Sequence, residues 1–159
     1  MSTGLIRPGS PAPEIALATA EGTTFTAADL LGRTTVLVFY PSAFSPVCSD
    51  QLQIYDEVGD EFARRGATLY GVSTDSTWAQ AAFVEKLRVA IPQLSDFEPK
   101  GATSRRLGAY LESAGTTNRA IVVFGPDAVV RWSHLAASPA ELPGANLILD
   151  ALDALDASA

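Results

Sequence analysis

The chain has a single cysteine, Cys48, and a single histidine, His134. No disulfide can form within it, and two such ligands so far apart in sequence do not make a zinc site of the usual kind. This sparing use of cysteine suits a reducing compartment, with the cytoplasm as the expected location. No run of about 18 apolar residues is present, so no membrane-spanning helix is expected. The stretch Met1 to Pro11 lacks an apolar run of signal-peptide length. Basic residues are few: 11 Lys and Arg against 18 Asp and Glu leave a net charge of −7. That balance argues against nucleic-acid partners and anionic membrane surfaces, and reads most simply as a charged, soluble surface. Internal repeats, low-complexity tracts and glycine-rich phosphate loops are missing as well.

What is present is an ordinary globular composition. With 159 residues, 47% of them hydrophobic and 18% charged, the chain can build one domain over 1–159 with a full core. Residues 1–13, rich in Gly, Pro and Ser, predict an irregular N-terminal arm. Ile15 to Ala18 and Thr23 to Thr26 flank Glu21-Gly22 as a short hairpin, and Ala27 to Leu31 reads as one helical turn. Thr34 to Tyr40 is apolar at consecutive positions, as in a strand buried on both faces. Ser45 to Arg65 predicts one long helix, with Val47, Gln51, Tyr55, Val58 and Phe62 on a common face and Gly66 to close it. Thr68 to Ser73 is a second strand. Trp78 to Arg88 is a second helix, with Ala81, Ala82, Val84 and Leu87 as its packing residues. Ser104 to Leu111 suggests a short helix. Ala120 to Phe124 and Val129 to Ser133 form a hairpin around Gly125-Pro126-Asp127, and Asn146 to Leu155 is a final helix. The order predicts an α/β, thioredoxin-like fold: a central mixed sheet flanked by helices, extended by the N-terminal hairpin.

Cys48 falls where the first strong strand gives way to the first strong helix. Ser45 suits the N-cap and Pro46 the first helical position. The thiol then lies in the first turn, where unpaired N–H groups and the helix dipole favour a thiolate, the nucleophilic form of cysteine. Without a second cysteine, any oxidised product must be resolved by something outside the chain.

The segment Pro41-Ser42-Ala43-Phe44-Ser45-Pro46-Val47-Cys48 resembles the peroxiredoxin signature: Pro, three residues, Thr or Ser, two residues, Cys. Thr117-Asn118-Arg119-Ala120 supplies the arginine that the family carries at the start of a later strand. The resemblance runs over roughly residues 8–135, and the one-cysteine, AhpE-like branch is the nearest in kind. Thioredoxin itself is disfavoured, because Cys-x-x-Cys is missing and Asn118 stands where thioredoxins carry proline. Gln51 replaces the Glu of many relatives, which would weaken an orienting hydrogen bond to the catalytic loop.

The resemblance implies a thiol-dependent peroxidase acting on hydrogen peroxide or organic hydroperoxides, with Cys48, Arg119, Ser45 and Pro41 as catalytic residues. Cys48 would be oxidised to a sulfenic acid. Arg119 would favour the thiolate and hold two acceptors in its planar fork. The N–H groups of Val47 and Cys48 would act as an oxyanion hole, with Val47 and Phe44 against the substrate. Ser45 could serve the reacting atoms or only cap the helix, and the sequence leaves both open. Pro41 would shield the sulfur from water. Metal, haem, flavin and nucleotide are not called for. The implied partners are the peroxide, an external thiol (small, or a thioredoxin-like or glutaredoxin-like protein) and a second copy of the chain. Trp78, Phe97 and Phe44 are candidates for a substrate mouth or dimer face, with core packing the equal alternative for Trp78 and Trp132. Arg131 suggests a structural ion pair sooner than a site residue, and His134 an exposed or capping imidazole. The alternative class is a redox-sensing or interaction module that relays oxidation to a partner without efficient turnover.

Overall fold

The computed structural model of the chain describes residues 4–158. Strands β1 (Ala16–Thr19) and β2 (Thr24–Thr26) form the expected hairpin, followed by the 3-10 turn Ala27–Leu30. Next come β3 (Thr34–Phe39), α1 (Pro46–Glu57), α2 (Gly59–Arg64), β4 (Ala67–Ser73), α3 (Thr77–Leu87) and β5 (Gln93–Ser95). The chain continues through α4 (Ala102–Leu107), β6 (Tyr110–Leu111), β7 (Thr116–Thr117), β8 (Ala120–Phe124), β9 (Val130–Leu135) and α5 (Ala145–Ser158). Seven strands make one sheet in the order β2-β1-β5-β4-β3-β8-β9, and β6 and β7 form a separate ribbon.

β3 lies at the middle of the mixed part of the sheet, parallel to β4 and antiparallel to β8. Its side chains alternate between two cores, as the period of a strand requires. Val36, Val38 and Tyr40 face a core shared with Ile121, Val123 and residues of α1, α2, α3 and α5. Leu37 and Phe39 face a second core with Val72, Leu94, Leu107, Val122 and Phe124. The consecutive apolar run of the sequence is thus a strand covered on both sides.

Three expectations change. The long helix over 45–65 is two helices, because Val58 leaves helical geometry (φ −108°, ψ 25°) just before Gly59, a residue with little helical bias of its own. Gly66 does close the second of them, in a left-handed conformation (φ 72°). On α3 the buried positions are Gln80 and Phe83, whereas Ala81 and Ala82 are exposed. Gln80 can be buried because its amide donates to Ser73 Oγ and to the Leu94 carbonyl. Tyr110–Leu111 is a strand and not the end of a helix, since Gly108 (φ 76°) ends α4. Asp96 caps α4 from a distance: its carboxylate accepts from the N–H groups of Thr103 and Ser104.

Residues 1–3 of the expected arm lie outside the described residues. Residues 4–13 are irregular but pinned. The N–H of Ile6 donates to the Leu107 carbonyl, that of Gly9 to Val130, and that of Ala12 to Ala128. This stretch pairs with the first residue of β9, since the Val130 N–H also donates to the Ser10 carbonyl.

Candidate active site

Strand register brings the two ends of the site together. Phe39, the last residue of β3, pairs with Ala120, the first of β8. Arg119 therefore enters the sheet where β3 leaves it, beside Tyr40 and the start of α1. Thr117 reinforces the junction by donating its hydroxyl to the Tyr40 carbonyl. Between β3 and α1 the chain makes a loop through Pro41. Asp75 holds that loop by accepting from the Ala43 N–H at 2.8 Å. Phe44 adopts a left-handed conformation (φ 70°), which is strained for a residue with a side chain, and its ring packs on Phe83 at 5.2 Å.

Ser45 is the N-cap of α1, and its hydroxyl oxygen accepts from the Cys48 N–H at 3.4 Å. The hydroxyl proton is not used in that bond. The Cys48 N–H is thus engaged by the cap, leaving the Val47 N–H as the first-turn donor without an intrahelical acceptor.

Cys48 is fully buried, and so is Arg119, which is only 1% exposed. The guanidinium makes three contacts. Its Nη2 donates to Cys48 Sγ at 3.2 Å, its Nη1 to Gln51 Oε1 at 2.5 Å, and its Nε to the Pro139 carbonyl at 2.7 Å. Two of these partners are neutral carbonyls. Among the described residues no carboxylate lies within ion-pairing distance of Arg119. A buried cation without a counter-charge is costly, and the sulfur, as thiolate, is the group positioned to supply one.

The hydrogen bond that Gln51 makes where many relatives have Glu goes to Arg119 and not to the 41–47 loop. Behind it, Gln51 Nε2 meets the Tyr55 hydroxyl at 3.1 Å, and that hydroxyl donates to the Pro143 carbonyl at 2.6 Å. The sequence assigned Tyr55 only a packing role. Cys48, Gln51 and Tyr55 stand at intervals of three and four, on one face of α1, which is the signal that could have linked them. The carbonyls of Pro139 and Pro143 carry no such signal, because any residue has a carbonyl.

Burial pushes the Tyr55 phenol up to about 12, with Gln51 and Arg119 acting in the opposite direction, and pushes Tyr40 up as well. Unfolded tyrosine ionises near 10, so above that pH the unfolded chain has released a proton the folded chain still holds. The stability from Tyr55 is complete below pH 10 and is lost as pH rises through 12. Its slope is about 1.4 kcal/mol per pH unit within that window. Urea unfolding between pH 9 and 11 should show a falling midpoint, and Tyr55→Phe should flatten the fall. Parallel curves for the two proteins would refute the assignment.

Other candidates lie elsewhere. Arg131 pairs with Asp127 at 2.6 Å, as a structural ion pair. His134 stacks on Trp132, with ring centroids 5.9 Å apart, and Trp132 in turn packs against the core. Trp78 is not a core residue: it is 86% exposed, with Phe97 at 56% and Phe44 at 50%. A cavity lined by Trp78, Phe97, Ser76, Ser95 and Pro99 opens at that surface.

The sequence profile of the AhpC/TSA family matches residues 8–133. The chain is 31% identical over 159 residues to peroxiredoxin tpx1 of Schizosaccharomyces pombe, covering 94% of this chain and 80% of that protein. It is 28% identical over 154 residues to alkyl hydroperoxide reductase E of Mycobacterium tuberculosis, covering 96% and 100%. In three dimensions it is similar to peroxidoxin BcpB from Mycobacterium tuberculosis, with a TM-score of 0.80 at 27% identity over 94% of this chain and 98% of that one. It shares its fold with Mycobacterium tuberculosis AhpC at a TM-score of 0.83, with 23% identity over 97% and 95% of the two chains. Sequence and fold agree that the chain is a member of the AhpC/TSA family, the peroxiredoxins.

Proposed function

We propose that Cys48 is the residue at which this thiol-dependent peroxidase of the one-cysteine type reacts. The Cys48 thiolate attacks one oxygen of hydrogen peroxide or an organic hydroperoxide. An S–O bond forms, the O–O bond breaks, and hydroxide or alkoxide leaves with the electron pair and takes up a proton. Cys48 is left as a sulfenic acid. Arg119 supports the attacking anion and the charge that moves onto the departing oxygen. The Val47 N–H and the free proton of Ser45 are further donors at the helix start, and Pro41 bounds the loop without adding an N–H of its own. With Cys48 buried, peroxide enters as the 41–47 loop opens, and the strained Phe44 is its natural point of movement.

The observation that supports this reading is the buried Arg119 guanidinium, aimed at the sulfur at 3.2 Å and without a carboxylate partner among the described residues. An external thiol, small or carried by a thioredoxin-like or glutaredoxin-like protein, attacks the sulfenic sulfur; an S–S bond forms, the S–O bond breaks and water leaves. A second thiol then clears the mixed disulfide. That cycle suits a reducing compartment such as the cytoplasm. Stoichiometric hydrogen peroxide added to reduced protein should add one oxygen to the intact mass within the mixing time, and Cys48→Ser should abolish the change. Oxidation no faster than that of free cysteine would overturn the proposal.

The exposed side chains of Trp78 and Phe97, which line one cavity, and the exposed Phe44 offer apolar area for a second copy of the chain, as the family resemblance implies. Trp78→Glu should shift the sedimentation of a dimer to that of a monomer while the far-UV spectrum stays unchanged. A wild-type protein that sediments as a monomer at all concentrations would dismiss the dimer.

A further inference from the structure

The polarity of the hydrogen-bond chain behind Arg119 can be derived from donor and acceptor counts alone. The Pro143 carbonyl can only accept, so the single proton of the Tyr55 hydroxyl is committed to it at 2.6 Å. The Tyr55 oxygen is then an acceptor toward Gln51, and Gln51 must present its NH2 group there, at 3.1 Å. Its carbonyl consequently faces Arg119, which has donors only. Turned the other way, the amide would set N–H against N–H beside the guanidinium and oxygen against oxygen beside Tyr55. Both clashes would be buried, since Gln51 and Tyr55 have no exposed surface. The contact that steadies Nη1, and with it the aim of Nη2 at Cys48, thus depends on a phenol three contacts away from the sulfur.

We propose that Tyr55 is a positioning residue for the peroxidase reaction: anchored on the Pro143 carbonyl, its hydroxyl fixes the Gln51 amide so that its carbonyl holds Arg119 against Cys48. The proposal rests on the reading of Cys48 and Arg119 given above. It also assigns a task to the stretch between β9 and α5. Pro139 accepts from Arg119 directly and Pro143 through Tyr55, so one segment braces the arginine twice.

A carboxylate at position 51 offers a test, because it has no wrong face. Either of its oxygens can accept from Arg119, so its orientation needs no guide. The second-order rate of Cys48 oxidation by hydrogen peroxide would be measured by stopped flow in four proteins: wild type, Tyr55→Phe, Gln51→Glu and the double variant. Tyr55→Phe is expected to lose about tenfold relative to wild type, and less than threefold when introduced into Gln51→Glu. Equal losses in both backgrounds mean a general structural role and overturn the proposal, as does a wild-type rate in Tyr55→Phe. Gln51→Met removes the same contact from the other end and should also lose about tenfold. A wild-type rate there overturns the proposal even if Tyr55→Phe does not fold. Cys48→Ser separates the two levels: undiminished oxidation in that variant removes the site itself, whereas an inert Cys48→Ser beside an undisturbed Tyr55→Phe removes only the role of Tyr55.

Discussion

Arg119→Lys should slow the oxidation of Cys48 by hydrogen peroxide roughly 100- to 1000-fold, the usual effect of removing one preorganised donor from a reacting centre. The substitution keeps a positive charge, so simple electrostatics would predict a small change. Geometry predicts a large one. The guanidinium reaches three acceptors that lie in different directions: Cys48 Sγ, Gln51 Oε1 and the Pro139 carbonyl. Lysine offers one compact, strongly hydrated ammonium on a flexible stem, and cannot make the planar fork. Satisfying both carbonyls would draw the ammonium away from the sulfur. Pulling it toward the sulfur would leave two buried carbonyls unpaired. The measurement is the stopped-flow rate over a range of peroxide concentrations, at a pH where Arg119→Lys keeps its far-UV spectrum. A loss below about fivefold would mean that the charge alone matters and that the fork has no part in the reaction.

The sheet and the thiol site were legible because they are written in local signals. The apolar run of 34–40, the Gly66 stop and the Ser45-Pro46 helix start each depend on a few adjacent residues. The pairing of Cys48 with Arg119, 71 residues apart in sequence, came from the family resemblance, since no local pattern marks such a contact. What stayed hidden was non-local or carried by backbone. Nothing in the sequence distinguishes the carbonyls of Pro139 and Pro143 from those of other residues. The break at Val58 was hidden by apolar spacing that continues across it, because Tyr55 and Phe62 pack into the same core from two separate helices. On α3, Val84 and Leu87 pack against the core as read, but Ala81 and Ala82 do not, for a related reason. Its buried polar residue, Gln80, breaks the apolar stripe on which the reading relied, and its partners Ser73 and Leu94 come from two different strands. Size and polarity left Trp78 open between an exposed surface and the core, and it sits exposed in the first turn of α3.

Removing the sulfur should cost stability and not only activity. Cys48→Ala is expected to destabilise the folded protein by about 3–5 kcal/mol, the range for a buried ion pair that loses one member. Loss of the sulfur as a packing group accounts for only about 1 kcal/mol of that, since the volume removed is little more than a methylene. The rest would come from the Arg119 cation, left in a water-excluded site with two carbonyls and no negative charge. The decisive comparison is a double-mutant cycle. In an Arg119→Met background, which is itself weakened by the unpaired Gln51 and Pro139 carbonyls, Cys48→Ala should cost only about 1 kcal/mol, because the cation is already gone. Urea unfolding of the four proteins at neutral pH measures both legs. A coupling of 2 kcal/mol or more would mean that the sulfur carries the counter-charge of Arg119, and so rests as the nucleophile before peroxide arrives. Equal costs in the two backgrounds would mean that Cys48 is held as a neutral thiol, and that the buried guanidinium is stabilised by its carbonyl partners alone.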